Sequence, residues 1–360
     1  MDYRNPSLIV ESSKTKPGSV GWRSPSNLAI IKYWGKHGVQ LPRNPSISFT
    51  LENAYTNTWI DYKPKSSIDP NVSLDFFFNN QPNDAFKAKV HKFLSGLTEI
   101  FPFLKQLHLT IRSTNSFPHS AGIASSASSM SALALCLCSM EKNLFGTLQK
   151  ESEFKQKASY LARLGSGSAC RSIYGGMAIW GVTSEVENAS NEYAVPFSEL
   201  HEVFKTYHDD ILIISKGEKS VSSRVGHELM DSNIYAQNRY EQARQRFRAL
   251  VETLRVGDVD TFGKIAEAEA LSLHALMLLS NPAFILLKPN TIAAIEKLQQ
   301  FRNDTRLPLY FSLDAGPNLH LLYPENIQAD AKRFIKNELV QYCENGQYIE
   351  DKVGKGPIEL

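Results

Sequence analysis

The sequence predicts a mixed α and β fold divided into two domains. The chain has 360 residues, which at roughly 150 residues per domain suggests two domains. Short apolar runs of strand type dominate the first part of the chain, and long segments with helical spacing dominate the second. A polar stretch at residues 184–191 lies between these parts. We place the boundary between residues 195 and 196.

The predicted N-terminal domain, residues 1–195, combines strands and helices. Alternating or compact apolar segments predict strands over residues 28–34, 46–51, 57–62, 73–78, 107–113 and 177–182. Apolar residues at helical spacing predict helices over residues 85–97, 130–140 and 154–164.

The predicted C-terminal domain, residues 196–360, is mainly helical. Helical spacing recurs over residues 235–254, 259–278 and 291–302. Strand patterns occupy residues 211–215, 309–313 and 319–322. An Asp-Ala-Gly-Pro-Asn segment between the last two strands predicts a tight turn.

Charge and composition exclude several classes of protein. The chain has 39 basic and 37 acidic residues, so its net charge of +2 gives no global attraction to nucleic acid. Hydrophobic residues make up 42% and charged residues 21%, which is typical of a globular protein. No apolar run is long enough to span a bilayer, and the polar N-terminus does not resemble a signal peptide. The four cysteines lack zinc-binding spacing, so we expect free thiols in the cytoplasm.

A small-residue segment, residues 116–131, precedes the helix predicted at residues 130–140. It is rich in serine, alanine and glycine, so backbone N–H groups could converge there on an anion. The positive end of the helix dipole would favour a phosphate at the same place. The alternative is a closely packed helix start with serine caps. The segment lacks the Gly-Lys-Ser/Thr ending of a Walker A loop.

Three charged side chains interrupt apolar or glycine-rich segments. Arg171 lies among glycines and serines, where it could bind a carboxylate or phosphate, or project from a flexible turn. Lys32 lies inside an apolar strand, so it either extends to the surface or faces a site. Asp314 follows a strand and precedes a turn, a common place for a purely local aspartate. Residue types and spacing alone leave both interpretations open.

Several segments, in this order along the chain, resemble the mevalonate diphosphate decarboxylases of the GHMP kinase superfamily. They read NLAIIKYWGK followed by LPRNPSISFTL, then GIASSAS, GSGSACRS and LDAGPN. GSGSACRS is unchanged from the family pattern, and together with KYWGK it is far more specific than a glycine-rich loop. The shared order covers about residues 22–323.

The resemblance implies a fold and an assembly. The N-terminal domain would be α/β with a left-handed βαβ element, like ribosomal protein S5. The C-terminal domain would be related to the ferredoxin-like fold. The active site would lie in the cleft between them, and the family resemblance also implies a homodimer.

The resemblance also implies a reaction. A 3-hydroxy acid carrying a 5-diphosphate would be phosphorylated by ATP with Mg²⁺ and would then lose phosphate and carbon dioxide to form isopentenyl diphosphate. By position, Asp314 would orient or deprotonate the 3-hydroxyl group. Lys32 would steady the charge beside it, and Arg171 would orient the substrate carboxylate.

Further positions match the binding sites of the family. The substrate pocket would include Tyr33, Trp34, Gly35, Lys36, Ser166, Gly167, Ser168, Ala169 and Cys170. The ATP phosphate loop would include Gly122, Ser125 and Ser126, with Ser126 as a magnesium ligand. No nucleic acid or membrane partner is expected.

Two segments depart from the family pattern. The helix that often carries a diphosphate-binding arginine reads DAFKAKVHKF here, with Lys87, Lys89 and Lys92 instead. Lysine lacks the planar fork of arginine, so these residues leave open whether the site binds a 5-diphosphate. Arg224 stands where eukaryotic members tend to have threonine, and it could supply a substrate-binding charge or be a surface residue.

Two alternatives remain at this point. A close relative could decarboxylate the 5-monophosphate, or could act as a mevalonate 3-kinase that stops after phosphorylation. A GHMP-like fold could also be a ligand-binding subunit without turnover, although the complete set of Asp314, Lys32 and Arg171 argues against it.

Overall fold

The computed structural model describes residues 2–11, 13–66, 69–118, 123–217 and 223–360, with only the backbone described at residues 223 and 224. The strands in these ranges are β1 (Gly18–Ile31), β2 (Lys36–His37), β3 (Leu41–Pro42), β4 (Ser46–Pro64), β5 (Ser73–Phe78), β6 (Gln81–Pro82), β7 (Leu107–Asn115), β8 (Met177–Trp180), β9 (Ala194–Phe197), β10 (His208–Leu212), β11 (Tyr310–Leu313), β12 (Leu319–Tyr323), β13 (Tyr348–Ile349) and β14 (Ile358–Glu359). The α-helices are α1 (Asp84–Ser95), α2 (Ser125–Phe145), α3 (Glu151–Gly165), α4 (Ser223–Glu228), α5 (Ala236–Val256), α6 (Val259–Leu278), α7 (Pro289–Thr305) and α8 (Gln328–Phe334).

The N-terminal part is built on an eight-stranded sheet within the described ranges. Its main path runs β14-β1-β4-β7-β5-β6, and β8 pairs with both β4 and β9. Strands β5 and β7 pair in parallel, and α1 lies between them in the chain. Parallel neighbours need a long crossover connection, which α1 provides here. Helix α2 packs against β1, β4 and α3, so its apolar run from Leu133 to Leu137 is buried.

Strand β4 is one continuous strand where the sequence predicted two, at residues 46–51 and 57–62. The sequence prediction assigns residues 52–56, between these two segments, to neither strand. The structure instead shows a register shift there against β1. Both carboxylate oxygens of Asp351 accept backbone N–H groups of residues 52–54, at 2.7–2.8 Å. A partner about 300 residues away therefore satisfies the irregular backbone, which local sequence patterns cannot reveal.

The C-terminal part contains a four-stranded antiparallel sheet in the order β11-β12-β10-β13. Helix α6 has the predicted bounds, and its N-cap Asp258 accepts the N–H of Thr261. Strand β10 begins and ends about three residues before the predicted segment 211–215. Helix α6 packs on β11 and α5 and also contacts β1 of the other sheet, so it connects the two parts.

The two parts share an apolar core. One buried cluster joins Ile30 and Phe49 from the N-terminal sheet to Phe247 and Phe262 from the helices α5 and α6. The chain also returns at its end, because β14 pairs with β1. The boundary at residues 195 and 196 lies within β9, whose partner is β8 of the N-terminal sheet. The mixed α and β fold class is confirmed, and the division into two domains stays a prediction.

All four cysteines are buried and free of disulfide bonds, as the sequence predicted. Among the described residues, no helix combines the length and the apolar character needed to cross a membrane.

Candidate active site

A cleft of about 830 Å³ brings the sequence motifs together. Lys32 follows β1, Arg171 lies in a short 3₁₀ helix (Gly167–Ile173) and Asp314 follows β11. All three side chains line this one cleft. A smaller cavity of about 320 Å³, lined by Arg43 and Arg244, contains none of the predicted site residues.

Lys32 and Asp314 form an ion pair at the cleft wall. The distance between Lys32 Nζ and Asp314 Oδ1 is 2.9 Å. The Lys32 side chain is only 2% exposed, whereas that of Asp314 is 22% exposed. The snorkelling interpretation of Lys32 is therefore wrong, because its ammonium group points inward to a carboxylate. The Asp314 carboxylate keeps access to the cleft and can accept a proton or hydrogen bond from a ligand hydroxyl group.

Arg171 is held in place by uncharged partners. Its Nε donates to Ser48 Oγ at 2.8 Å, its Nη1 to Ser46 Oγ at 2.7 Å and its Nη2 to Asn27 Oδ1 at 3.4 Å. Burial lowers the pKa of Arg171, and the Asp314 charge opposes that change. Because a guanidinium stays protonated in proteins, this buried cation can attract an anionic group in the cleft. Asn27, which the sequence did not single out, also donates to Ser172 Oγ at 2.8 Å.

The remaining GSGSACRS residues divide into two groups. Ser166, Gly167 and Ser168 line the cleft. Ala169 and Cys170 are completely buried, and their side chains pack behind the cleft wall. Burial raises the pKa of the Cys170 thiol to about 12, and its Sγ donates to the carbonyl of Gly167. Cys170 is therefore a packing residue with an unreactive thiol.

An imidazole clamps the aromatic residues of the KYWGK motif. The His227 ring lies 4.3 Å from the Tyr33 ring and 4.6 Å from the Trp34 ring, measured between centroids. His227 Nδ1 accepts the N–H of Gly35 at 3.0 Å. Burial lowers the pKa of His227 to about 3, so the ring is neutral and remains an acceptor at physiological pH. No pattern in the sequence indicated His227, because a single histidine outside any recognisable motif is not distinctive.

Tyr33 and Gly35 have separate roles in this clamp. The Tyr33 hydroxyl is buried without a hydrogen-bond partner among the described residues, although the side chain lines the cleft. Burial also raises the pKa of Tyr33, so the hydroxyl stays protonated and can donate to a ligand oxygen. Gly35 has φ of 96°, and a Cβ atom there would collide with Tyr240. Trp34 and Lys36 line the cleft beside them.

Helix α1 contributes two lysines to the cleft. Lys89 and Lys92 both line it, together with Lys36 from the KYWGK motif. Lys87 instead pairs with Asp75, with 3.0 Å between Nζ and Oδ1. Two of the three lysines that replace the expected arginine therefore face the site. Their ammonium groups give this part of the cleft a positive charge that suits phosphate.

The start of α2 is suited to an anion. Ala124 precedes the helix with φ of 40° and its side chain makes no cap hydrogen bond, and the first turn has no acidic residue. The Ala127 N–H donates to the Ala124 carbonyl at 2.7 Å, so the N–H groups of Ser125 and Ser126 are the ones in this turn that can face a ligand. Ser126 lines the cleft and has its Oγ 3.2 Å from Ser166 Oγ. Ser125 begins the helix, and its carbonyl accepts Ser129 Oγ at 2.7 Å.

Two predicted site positions lie wholly or partly outside the described residues. Gly122 lies outside the described residues. Arg224 lies in α4, but its side chain is not among those described.

The residues of the cleft fit a magnesium ion that is held mainly by the phosphates of the bound substrates. The described part of the chain contains no group of three or more His, Cys, Asp or Glu side chains that could hold a metal ion. Mg²⁺ commonly binds through one or two protein oxygens together with substrate phosphates and water. The Ser126 hydroxyl, in the first turn of α2 and in the cleft lining, is compatible with this mode of binding.

Solved structures with the same architecture define the class of the protein. A complex of MDDEF with MVAPP, AMPPCP and magnesium superposes with a TM-score of 0.81 at 29% identity, covering 96% of this chain and 99% of the other. Mevalonate diphosphate decarboxylase from Staphylococcus aureus also has a TM-score of 0.81, at 28% identity, with 97% and 100% of the chains covered. The fold of this chain is thus the GHMP kinase fold.

The sequence comparisons identify the family within that class. The family model for the diphosphomevalonate decarboxylase-like N-terminal domain matches residues 24–192, and that for the mevalonate 5-diphosphate decarboxylase C-terminal domain matches residues 210–357. Diphosphomevalonate decarboxylase of Eremothecium gossypii is 30% identical over 83% of this chain and 76% of the relative. Diphosphomevalonate decarboxylase of Candida albicans is 30% identical over 84% of this chain and 83% of the relative. The chain belongs to the diphosphomevalonate decarboxylase family.

Proposed function

We propose that this protein is an ATP-dependent diphosphomevalonate decarboxylase. It converts (R)-5-diphosphomevalonate and ATP into isopentenyl diphosphate, ADP, phosphate and carbon dioxide, a reaction of the mevalonate pathway. The observation that carries the proposal is the Lys32–Asp314 ion pair, which lies in the same cleft as the buried guanidinium of Arg171. Relatives named diphosphomevalonate decarboxylase match most of the chain, and MDDEF has been solved with MVAPP bound.

Asp314 activates the 3-hydroxyl group of the substrate. Its cleft-facing carboxylate accepts the hydroxyl proton as the oxygen attacks the γ-phosphorus of ATP, and the bond to ADP breaks. Lys32 beside it stabilises negative charge during this transfer. The tertiary alcohol is thereby converted into a phosphate ester. Phosphate is a much better leaving group than hydroxide.

Decarboxylation then needs no electron-sink cofactor. The C3–O bond breaks as phosphate leaves, and the electron pair of the bond to the carboxylate carbon forms the alkene. Arg171 holds the carboxylate so that its C–C bond is aligned with the departing phosphate. A uniform grip on the carboxylate would not speed its loss, so the contribution of Arg171 is orientation.

The helix start at Ser125 and Ser126 binds the phosphates of ATP. The helix dipole and the N–H groups of its first turn favour negative charge, and the Ser126 hydroxyl in the cleft can bind Mg²⁺. When bound, Mg²⁺ neutralises phosphate charge and orients the γ-phosphoryl group. A solved complex of MDDEF contains AMPPCP and magnesium, which supports the use of ATP and Mg²⁺ by this protein.

Three lysines in the cleft favour the 5-diphosphate over the 5-monophosphate. Lys36, Lys89 and Lys92 supply three positive charges, and a diphosphate carries more negative charge than a monophosphate. These lysines therefore also argue against a mevalonate 3-kinase, whose substrate has no phosphate.

A substrate panel tests the proposed function. Purified protein is given ATP and Mg²⁺ with mevalonate, its 5-phosphate or its 5-diphosphate, while ADP and carbon dioxide are followed together. We expect equal amounts of both products with the 5-diphosphate. Release of ADP without carbon dioxide would identify a kinase, and carbon dioxide from the monophosphate alone would assign the other decarboxylase. Binding without turnover would instead support a non-catalytic subunit.

Three further properties belong to the same proposal. We expect a homodimer, which light scattering after gel filtration would measure. We expect a cytoplasmic enzyme, which fractionation of the source cells would locate. We also propose that residues 1–195 and 196–360 form two domains, which limited proteolysis would test.

A further inference from the structure

Helix α6 holds the main chains of both members of the Lys32–Asp314 pair. Glu269 Oε2 accepts the backbone N–H of Lys32 at 2.9 Å. His274 Nε2 lies 3.0 Å from the backbone carbonyl of Asp314. A carbonyl can only accept, so His274 Nε2 carries the proton and donates. One helix therefore contacts two segments that are far apart in the sequence and meet only at the cleft.

Glu269 is a buried charge with a complete set of donors. The residue has no solvent exposure. Arg239 donates to both of its oxygens, at 2.8 and 2.5 Å, and Arg246 Nη1 donates to Oε1 at 2.9 Å. Burial would raise the pKa of Glu269, but the two arginines outweigh it and keep the pKa below its ordinary value. The carboxylate is therefore ionised and fixed in one orientation.

The Lys32 backbone is fixed from both sides. Lys32 is the first residue after β1, and its carbonyl accepts Asn44 Nδ2 at 3.1 Å. Its N–H is bound by Glu269. The position from which the lysine side chain extends is consequently set by two polar contacts. Asp314 likewise follows the last residue of β11, and His274 fixes its carbonyl.

We propose that Glu269 and His274 are positioning residues that set the geometry of the Lys32–Asp314 pair. The inference rests on the proposed catalytic roles of Lys32 and Asp314. Displacement by about 1 Å can reduce turnover by about 100-fold, so small backbone shifts at either residue would be measurable. Glu269 and His274 are not part of the cleft lining, so we expect neither of them to contact the substrate.

Glu269→Gln is the first test. Each oxygen of Glu269 accepts two N–H groups. In either orientation, the amide NH₂ of glutamine would face two other donors and could not accept from them, so part of the hydrogen-bond set would be lost. We expect kcat to fall by about 10- to 100-fold, with KM for ATP changed by less than about 3-fold.

Glu141→Gln is the matched control. Glu141 is also a buried carboxylate in an ion pair, with 2.6 Å to Lys157 Nζ, but it is not part of the cleft lining. We expect the control to lose thermal stability and to keep kcat within about 2-fold of wild type. A similar fall of kcat in both variants, or no fall in either, would overturn the role of Glu269.

Two variants at His274 test the second contact independently of whether Glu269→Gln folds. His274→Gln retains an N–H donor near the position of Nε2, whereas His274→Leu removes it. We expect the leucine variant to lose at least about 10-fold in kcat and the glutamine variant to recover most of it. Equal kcat values in the two variants would refute the positioning role of His274.

A readout without turnover separates this inference from the proposed function. Amide hydrogen exchange of the peptide containing Lys32 reports the contact with Glu269 even if no substrate is turned over. We expect exchange at Lys32 to accelerate at least about 10-fold in Glu269→Gln and to be unchanged in Glu141→Gln. Unchanged exchange at Lys32 in both variants would exclude the role of the Glu269 contact in fixing the Lys32 backbone. An inactive wild-type protein whose variants show the expected exchange would reject only the proposed function.

Discussion

Removing either member of the Lys32–Asp314 pair should strongly reduce turnover, but the two variants should differ in thermal stability. The charges are 2.9 Å apart. At an effective dielectric constant of 20, their Coulomb attraction is about 6 kcal/mol, which opposes the cost of burying the ammonium group. Lys32 is 2% exposed and Asp314 is 22% exposed, so the two groups differ in what they lose without a partner.

Asp314→Asn leaves a buried ammonium group without its counter-charge. Breaking a buried pair costs about 3–5 kcal/mol, and the remaining amide oxygen, which still accepts a hydrogen bond, reduces this to about 2–3 kcal/mol. With an unfolding entropy of about 2.1 cal/mol/K per residue over 360 residues, 1 kcal/mol corresponds to about 1.3 °C. We therefore expect the melting temperature to fall by about 3–4 °C.

Lys32→Met should be much less destabilising. The substitution removes the buried charge and its desolvation cost, and a linear side chain of similar size fills the space. Asp314 remains and can be hydrated through its exposed side. We expect a melting temperature within about 1 °C of wild type.

The assay combines scanning fluorimetry with ADP and carbon dioxide release. For Asp314→Asn, kcat should fall by about 10²- to 10⁴-fold while the affinity for ATP is retained. Near-wild-type turnover of Asp314→Asn would remove this carboxylate from the mechanism. A larger loss of stability in Lys32→Met than in Asp314→Asn would refute the electrostatic reasoning.

Three more predictions concern other charged groups. Arg171→Lys replaces three separate nitrogen donors by one ammonium nitrogen without the planar fork, so kcat/KM for the substrate should fall by about 10- to 100-fold, with no change in KM for ATP in the same assay. The double variant Lys89→Ala/Lys92→Ala should raise KM for the 5-diphosphate by about 10-fold. Lys87→Ala should leave this KM unchanged, because Lys87 pairs with Asp75 outside the cleft lining. Equal effects of the two variants on KM would contradict the assignment of Lys89 and Lys92 to the diphosphate. Burial raises the pKa of Asp210 to about 7, so its protonated form stabilises the fold at low pH and this contribution disappears as the pH rises from 3.8 through 7. Asp210→Asn should flatten the corresponding fall of melting temperature with pH, and parallel curves for variant and wild type would exclude the effect.

The elements that follow from short-range patterns could be predicted from the sequence. The bounds of α6 follow from its helical spacing and its N-cap Asp258. The motif residues Lys32, Arg171 and Asp314 could be selected as a set because their segments resemble one family, although residue types alone left each of them ambiguous. The single long strand β4 could not be predicted, because Asp351 completes its irregular section from the other end of the chain.

The sequence by itself determined the long helices α5 and α6, the family and the order of the motifs. Helical and strand periodicities depend on neighbours within a few residues, and the motifs are contiguous. Only the tertiary structure decided that Glu269 and His274 contact the backbones of Lys32 and Asp314 and that His227 packs against the aromatic rings of Tyr33 and Trp34. Spacing along a helix indicates which face is buried, but it cannot identify a hydrogen-bond partner more than 200 residues away, such as Lys32 for Glu269.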